Sequence, residues 1–220
     1  MKLLRNSNSK LKKTSKKNNV NIFVFDLPSG ENENGDIICP GADTCKLICY
    51  ASKGFYIMPS VKKAYETNYY YSKQDNFIEL IQKEIDSKKK KITHIRIHSS
   101  GDFYNKSYLL KWLQIAKNNP RIIFYCYTKS INLFKNTKYN NLNKISTICN
   151  IKEILNNINN FKYCFSYGSK YDHLINDNTD YHSKIFKTEN KLNRLGYINA
   201  SYDDLLAINP NNNKIGLIYH

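Results

Sequence analysis

The alternation of apolar and polar positions divides the chain into short strands and amphipathic helices. Val20 to Phe25, VNIFVF, is a short apolar run of β type, and Asp26 to Gly30 breaks it. Pro59 opens a helix, since its fixed φ suits a first turn. Val61, Ala64, Tyr65 and Asn68 share one face of that helix. Asn76 to Lys88 is a stronger amphipathic helix, with Phe77, Ile78, Ile81 and Ile85 at helical spacing. The lysine run Lys88 to Lys91 suits its C-terminal dipole and the solvent.

Ile92 to Phe103, ITHIRIHSSGDF, follows. Period-two alternation puts Ile95 and Ile97 on one face and His94, Arg96 and His98 on the other. A strand in a helix-covered parallel sheet should be apolar on both faces, so the polar face marks a place where function is expected. Ser107 to Asn118 predicts a helix with Leu109, Trp112, Leu113 and Ala116 inward, stopped by Pro120. Further along, Arg121–Thr128, Ile145–Cys149, Tyr163–Tyr167, Gly196–Asn199 and Lys214–Tyr219 read as strands. Ile131–Tyr139 and Lys152–Asn159 read as helices, and Tyr171–Asn190 as a polar, irregular stretch. Ser201 to Asp204 reads as a helix N-cap with acids in the first turn. Strands alternating with helices predict an α/β fold, either an incomplete TIM-like barrel or a parallel sheet of about six strands with covering helices.

A chain of 220 residues, 41% of them hydrophobic, suits one domain, placed at 20–220. Residues 1–19 carry seven basic side chains between Lys2 and Lys17 and no acid, which predicts a flexible arm. No run of 18 apolar residues occurs, so no membrane span is expected. The basic start lacks the apolar stretch of a secretion signal, so the expected location is the cytoplasm, of a host cell if the protein is viral. Thiols stay reduced there and favour metal or redox roles over disulfides. The net charge of +16 would attract a polyanion such as nucleic acid. A lysine excess alongside abundant Asn, Ile and Tyr is equally what an AT-rich coding genome produces, and then it is a solvated face.

The densest chemistry lies in CPGADTCKLICYA, where Cys39, Cys45 and Cys49 fall within eleven residues and a Pro-Gly pair turns the chain after the first. Three thiolates on one tight loop can converge on a single soft metal. A structural zinc wants four ligands, so either a distant fourth ligand or an open coordination position follows. Unrelated free thiols are the bland alternative. Cys126, Cys149 and Cys164 read as core residues, although Cys149 or Cys164 could supply a fourth thiolate. The second candidate is the strand end after Ile97. Gly101 permits close backbone approach to a ligand, and Asp102 sits where a strand's C-terminal end meets its loop. Thr128, Ser166, Tyr125, Arg96 and His98 are candidates to line the same mouth. The plain reading leaves His94 on the surface and His98 capping a turn.

Read together, CPGADTCKLICYA, PSVKKAYETN, RIHSSGDFYN, FYCYTKS and GYINASYDDLLAI resemble the phage family called gene product eighty-eight, from about Asn8 to His220. That family supplies no established activity. The three-cysteine loop after strand one and the Gly-acid pair after strand two are also similar to radical S-adenosylmethionine barrel enzymes. That resemblance implies a [4Fe-4S] cluster on Cys39, Cys45 and Cys49, with Gly101 and Asp102 against the cofactor S-adenosylmethionine. Thiol gaps of five and three, and Gly-Asp in place of Gly-Glu, depart from that family's pattern. The resulting expectation is a radical-type iron-sulfur enzyme on an unknown substrate, with His98, Asp102 and Arg96 as candidate catalytic groups and Thr128 and Ser166 near the cofactor. Its alternative is a non-enzymatic, zinc-stabilised protein binding nucleic acid through the basic arm and Lys88 to Lys91. A metal-dependent hydrolase using His98 and Asp102 ranks last, for want of a second acidic cluster.

Overall fold

The computed structural model describes residues 2–6, 8–42, 45–88, 91–134, 142–148, 162–167, 196–212 and 214–218. Seven strands form one sheet: β1 (Ile22–Phe25), β2 (His94–Ile97), β3 (Ile123–Thr128), β4 (Leu142–Ile148), β5 (Lys162–Tyr167), β6 (Ile198–Asn199) and β7 (Lys214–Ile218). Their order is β1-β2-β3-β4-β5-β7-β6, and every neighbouring pair is parallel. The helices are α1 (Ser9–Asn18), α2 (Cys45–Ile48), α3 (Pro59–Lys73), α4 (Phe77–Ser87), α5 (Lys106–Asn118) and α6 (Asp204–Ile208). Among the described residues no helix is long and apolar enough to cross a membrane.

This arrangement corrects the expected architecture. The sheet is open, with β1 and β6 at its two edges and no pairing between them among the described residues, and it is not the six-stranded sheet anticipated. A partial barrel fills its concave side with strand side chains. Here helices cover both faces. On one, Phe23, Phe25, Ile95, Ile97, Phe124 and Cys126 pack against Phe77, Ile81 and Ile85 of α4 and Leu109, Trp112 and Leu113 of α5. On the other, Ile22, Val24, Tyr125 and Ile215 pack against Leu11 of α1 and Ala207 and Ile208 of α6.

The basic N-terminus is the second correction. Leu3 and Leu4 are fully buried, and their amides donate to the Glu84 carboxylate at 2.5 and 3.1 Å. Arg5 bridges Val24 in antiparallel fashion along the β1 edge. Asn8 then caps α1 by accepting the Leu11 amide. That helix is almost uniformly polar, yet Leu11 and Thr14, one turn apart, are buried and face the sheet. Lys10 reaches Asp204 at 2.5 Å and Lys17 reaches Asp203 at 3.0 Å, tying α1 to the start of α6.

Other boundaries shift by a few residues. Strand β1 begins at Ile22, and β4 begins at Leu142, three residues early. Ile131–Phe134, the described part of the helix expected to Tyr139, is 3-10, and residues 135–139 lie outside the described residues. The helix predicted at 152–159, the lysines at 89 and 90, Cys149 and His220 lie outside the described residues.

Candidate functional site at the strand ends

The C-terminal ends of β1, β2 and β3 form one rim, and two buried aspartates fasten it. Asp26 directly follows β1. Its Oδ1 accepts the Ser99 amide at 2.6 Å, the Ser99 hydroxyl at 2.7 Å and the Ser100 amide at 3.1 Å. Its Oδ2 accepts the Tyr65 hydroxyl at 3.4 Å. Asp102 repeats the device one strand along. Its Oδ1 accepts the Phe103 amide and the Thr128 hydroxyl, each at 2.7 Å, and its Oδ2 accepts the Lys129 and Ser130 amides at 2.8 and 3.1 Å. Burial raises both carboxyls above their usual range, opposed by these bonds. Asp102 is therefore saturated with donors, and Thr128 serves it. Both position the rim, where the sequence suggested catalysis and cofactor contact. Asp26 read in the sequence only as the end of a strand. Its signal was the same as that of Asp102, an acid at the C-terminal end of a parallel strand.

The three polar residues at and just after β2 part company. Arg96 stays on the α1/α6 face, in register between Val24 and Tyr125. There its Nη1 donates to Asp204 Oδ2 at 2.6 Å, its Nε donates to the His98 carbonyl at 3.1 Å, and the guanidinium lies 4.9 Å from the centre of the Tyr127 ring. Tyr125 donates to the same Asp204 oxygen at 3.1 Å. The conflict seen in the sequence, a cation on a covered face, is resolved by this buried pair, which favours the charged forms of both partners. His98 has φ +67, which turns it away from the alternation. It packs instead on the other side, against Phe103 and Tyr108, with Nε2 bonded to the Tyr108 hydroxyl at 2.8 Å. Burial and the nearby Arg96 push its pKa down to about 3, so the ring is neutral at physiological pH. His94, at the start of β2, bonds to the Thr93 hydroxyl far from the rim.

The cysteine loop leans on this rim. Gly41 faces the loop after β3 so closely that a methyl group there would overlap the Lys129 carbonyl. Gly101, at φ +80, faces Leu27, and an added Cβ would stand 2.9 Å from the Pro28 carbonyl. Tyr50, just past the third cysteine, donates to the Ser99 carbonyl. Cys39 accepts an N–H bond from Gly30 at 3.3 Å, and its thiol is pushed up to about 12 by burial and then by Asp102 and Cys49. Cys39, Cys49 and Asp102 thus share one neighbourhood. Cys45 opens α2, and all three cysteines are half-buried and free of disulfides. However, among the described residues no three His, Cys, Asp or Glu side chains are gathered as a metal site. Protonated thiols have no mutual attraction, and ligand sets commonly close only as metal displaces their protons. The donors themselves suit a soft cation: three thiols on one loop, one accepting an N–H···S bond, beside the Asp102 carboxyl. Cys126 is fully buried core, while Ser166 and Cys164 lie on β5 with side chains outside the described residues.

Comparison with known proteins adds the following. The family model described as Gene product 88 matches residues 1–219. The Gene 88 protein of Mycobacterium phage L5 is 26% identical over 114 residues, which cover 47% of this chain and 46% of that protein. The chain thus spans about half the length of that curated relative. No solved structure matches. Neither match carries the similarity to radical S-adenosylmethionine enzymes.

Proposed function

The chain belongs to the gene product 88 family of phage proteins, and from that premise we propose that it is an iron-sulfur protein whose Cys39, Cys45 and Cys49 hold a [4Fe-4S] cluster. Supporting this reading is the position of Cys39. It is half-buried at the strand-end rim, bonded by Gly30, and close enough to Cys49 and Asp102 for both to disfavour its ionisation. Such a cluster, held by three thiolates, supplies single electrons and leaves one iron open to a chelating cofactor such as S-adenosylmethionine.

The chain's own part is positional. Asp102 and Thr128 fix the turn after β3 against which Gly41 seats the cysteine loop. Asp26 fixes Ser99 and Ser100, and Tyr50 ties the end of the cysteine loop to Ser99. Gly101 leaves room for backbone to approach backbone. Arg96 and His98 act behind the rim, the first as a buried charge pair and the second as a neutral core ring.

A second reading places zinc on the same thiols in a nucleic-acid-binding protein, favoured by the exposed lysines Lys12, Lys13 and Lys16 on α1 and the net charge of +16. One preparation separates the two. Anaerobically purified and reconstituted protein is expected to be brown, with about four irons and four sulfides per chain, and Cys45→Ala is expected to lose most of both. Colourless protein with stoichiometric zinc, retained on heparin at low salt and released steeply as salt rises, would replace the first reading with the second.

A further inference from the structure

The 3-10 turn Gly54–Ile57, just past the cysteine loop, carries an apolar surface that the fold leaves uncovered. Phe55 is 82% exposed, Ile57 51% and Met58, which caps the turn, 46%. Tyr56, between the first two, packs inward. Its ring centre lies 5.5 Å from that of Tyr50 and 6.5 Å from that of Tyr65 on α3, which anchors the turn. The outward side chains are therefore displayed on a fixed support. One exposed apolar residue is ordinary, whereas three large ones within four positions mark a contact surface.

Beside this knob is a hole. A cleft of about 370 Å³ opens between the segment after β1 and α3, with Pro28, Ala51, Tyr56, Ile57 and Tyr65 in its walls. A cavity of about 150 Å³ already admits benzene, so a phenyl ring fits here. Charges of both signs flank the cleft. Lys62 and Lys63 stand near the start of α3, both exposed. Glu33 and Glu66 sit together, the Glu33 amide donating to Glu66 Oε1 at 3.3 Å. Among the described residues none of these four side chains is in an ion pair.

This mixture selects the occupant. An anionic lipid surface, a nucleic acid or an acidic protein would all meet the two glutamates. A knob, a hole and both signs of charge on one surface complement each other, which is what a two-fold isologous contact requires. We propose that a second copy of this chain docks here. Phe55 of each copy enters the cleft of the other, and Lys62 and Lys63 of each face Glu33 and Glu66 of the other. The net charge of +16 opposes self-association. Screening over about 8 Å confines that repulsion to charges near the contact, and those are complementary. The docked copies close the cleft beside each other's cysteine loop. The inference does not rest on the metal centre.

Sedimentation of the full chain under reductant tests it, from about 1 to about 200 μM, where small specific interfaces dissociate. A monomer–dimer equilibrium is expected. Phe55→Ser alters an exposed side chain that the fold does not use, and is expected to weaken the dimer about thirtyfold, as loss of a central anchor does. A charge exchange guards against variants that fail to fold. Lys62→Glu with Lys63→Glu makes the flanks wholly acidic, and Glu33→Lys with Glu66→Lys makes them wholly basic. Each double variant alone is expected to stay monomeric, and an equimolar mixture of the two to recover the dimer, which misfolded protein cannot do. A monomer throughout, a dimer indifferent to Phe55→Ser, or a mixture that does not recover overturns the inference. Association that follows metal content and Cys45→Ala instead of Phe55→Ser is metal-bridged, and overturns it as well. Iron and sulfide measured in the same samples read the cluster separately. A full cluster in a monomer sinks only the docking, and a dimer without iron sinks only the cluster.

Discussion

His98 shows how much one backbone angle can redirect. Alternation assigns it to the face of Arg96, and φ +67 moves it among Phe103 and Tyr108 on the other. Histidine is among the residues that tolerate this region, but nothing in HIRIHSSG announces that the strand's period ends one residue early. The consequence is measurable. An unfolded histidine titrates near 6.5, and His98 in the fold titrates near 3. Between those values the unfolded chain binds the extra proton. The stability contributed by the neutral ring is therefore complete above pH 6.5 and is lost as pH falls towards 3, by at most about 5 kcal/mol. Asp26 and Asp102, raised by burial, act in the opposite sense, contributing most below 3.8 and less as pH rises through their folded values. The comparison to make is thus between parent and variant. Urea midpoints from pH 7 to pH 4 should fall less steeply in His98→Asn, which accepts the left-handed backbone and cannot titrate.

At the scale of elements, the apolar periods of α4, α5 and β3 were legible because packing and pattern agree there. The cysteine loop was legible as three closely spaced thiols in the sequence. What the sequence hid was the seat of the loop. Gly41 reads as half of a turn signal, whereas its lack of a side chain lets the loop lie against the carbonyl of Lys129. Gly41→Ala should therefore push the loop outward. Overpacking of this kind costs about 1–3 kcal/mol, leaving the far-UV spectrum intact. Iron retained after anaerobic reconstitution should drop severalfold, because Cys39 moves with the loop. An unchanged iron content would show that the seat is irrelevant to the thiols.

For the molecule as a whole, composition misled most at the N-terminus. Seven cations without an acid suggest a loose tail, and so many lysines conceal the few residues that matter. Leu3, Leu4 and Leu11 are buried to 1% exposure or less, and Lys10 helps neutralise Asp204 beneath them. Each leucine contributes about 1.5–3 kcal/mol on burial, against a typical total of about 5–15 kcal/mol for a domain. Deleting residues 1–18 should abolish cooperative thermal unfolding, and a truncated chain that still melts sharply would contradict the packing described. The barrel was misjudged for a related reason. Periodicity shows that a strand is covered, but not whether by another strand's side chains or by α1 and α6 arriving from the two ends of the sequence.

The two rim aspartates also limit what this polypeptide can do unaided. Each carboxylate is occupied as masonry, joining one strand's exit to the next, so neither is at liberty to shuttle protons. A rim whose own acids are mortared in place must draw any reactivity from other groups, which under the proposed reading would be the cluster on Cys39, Cys45 and Cys49.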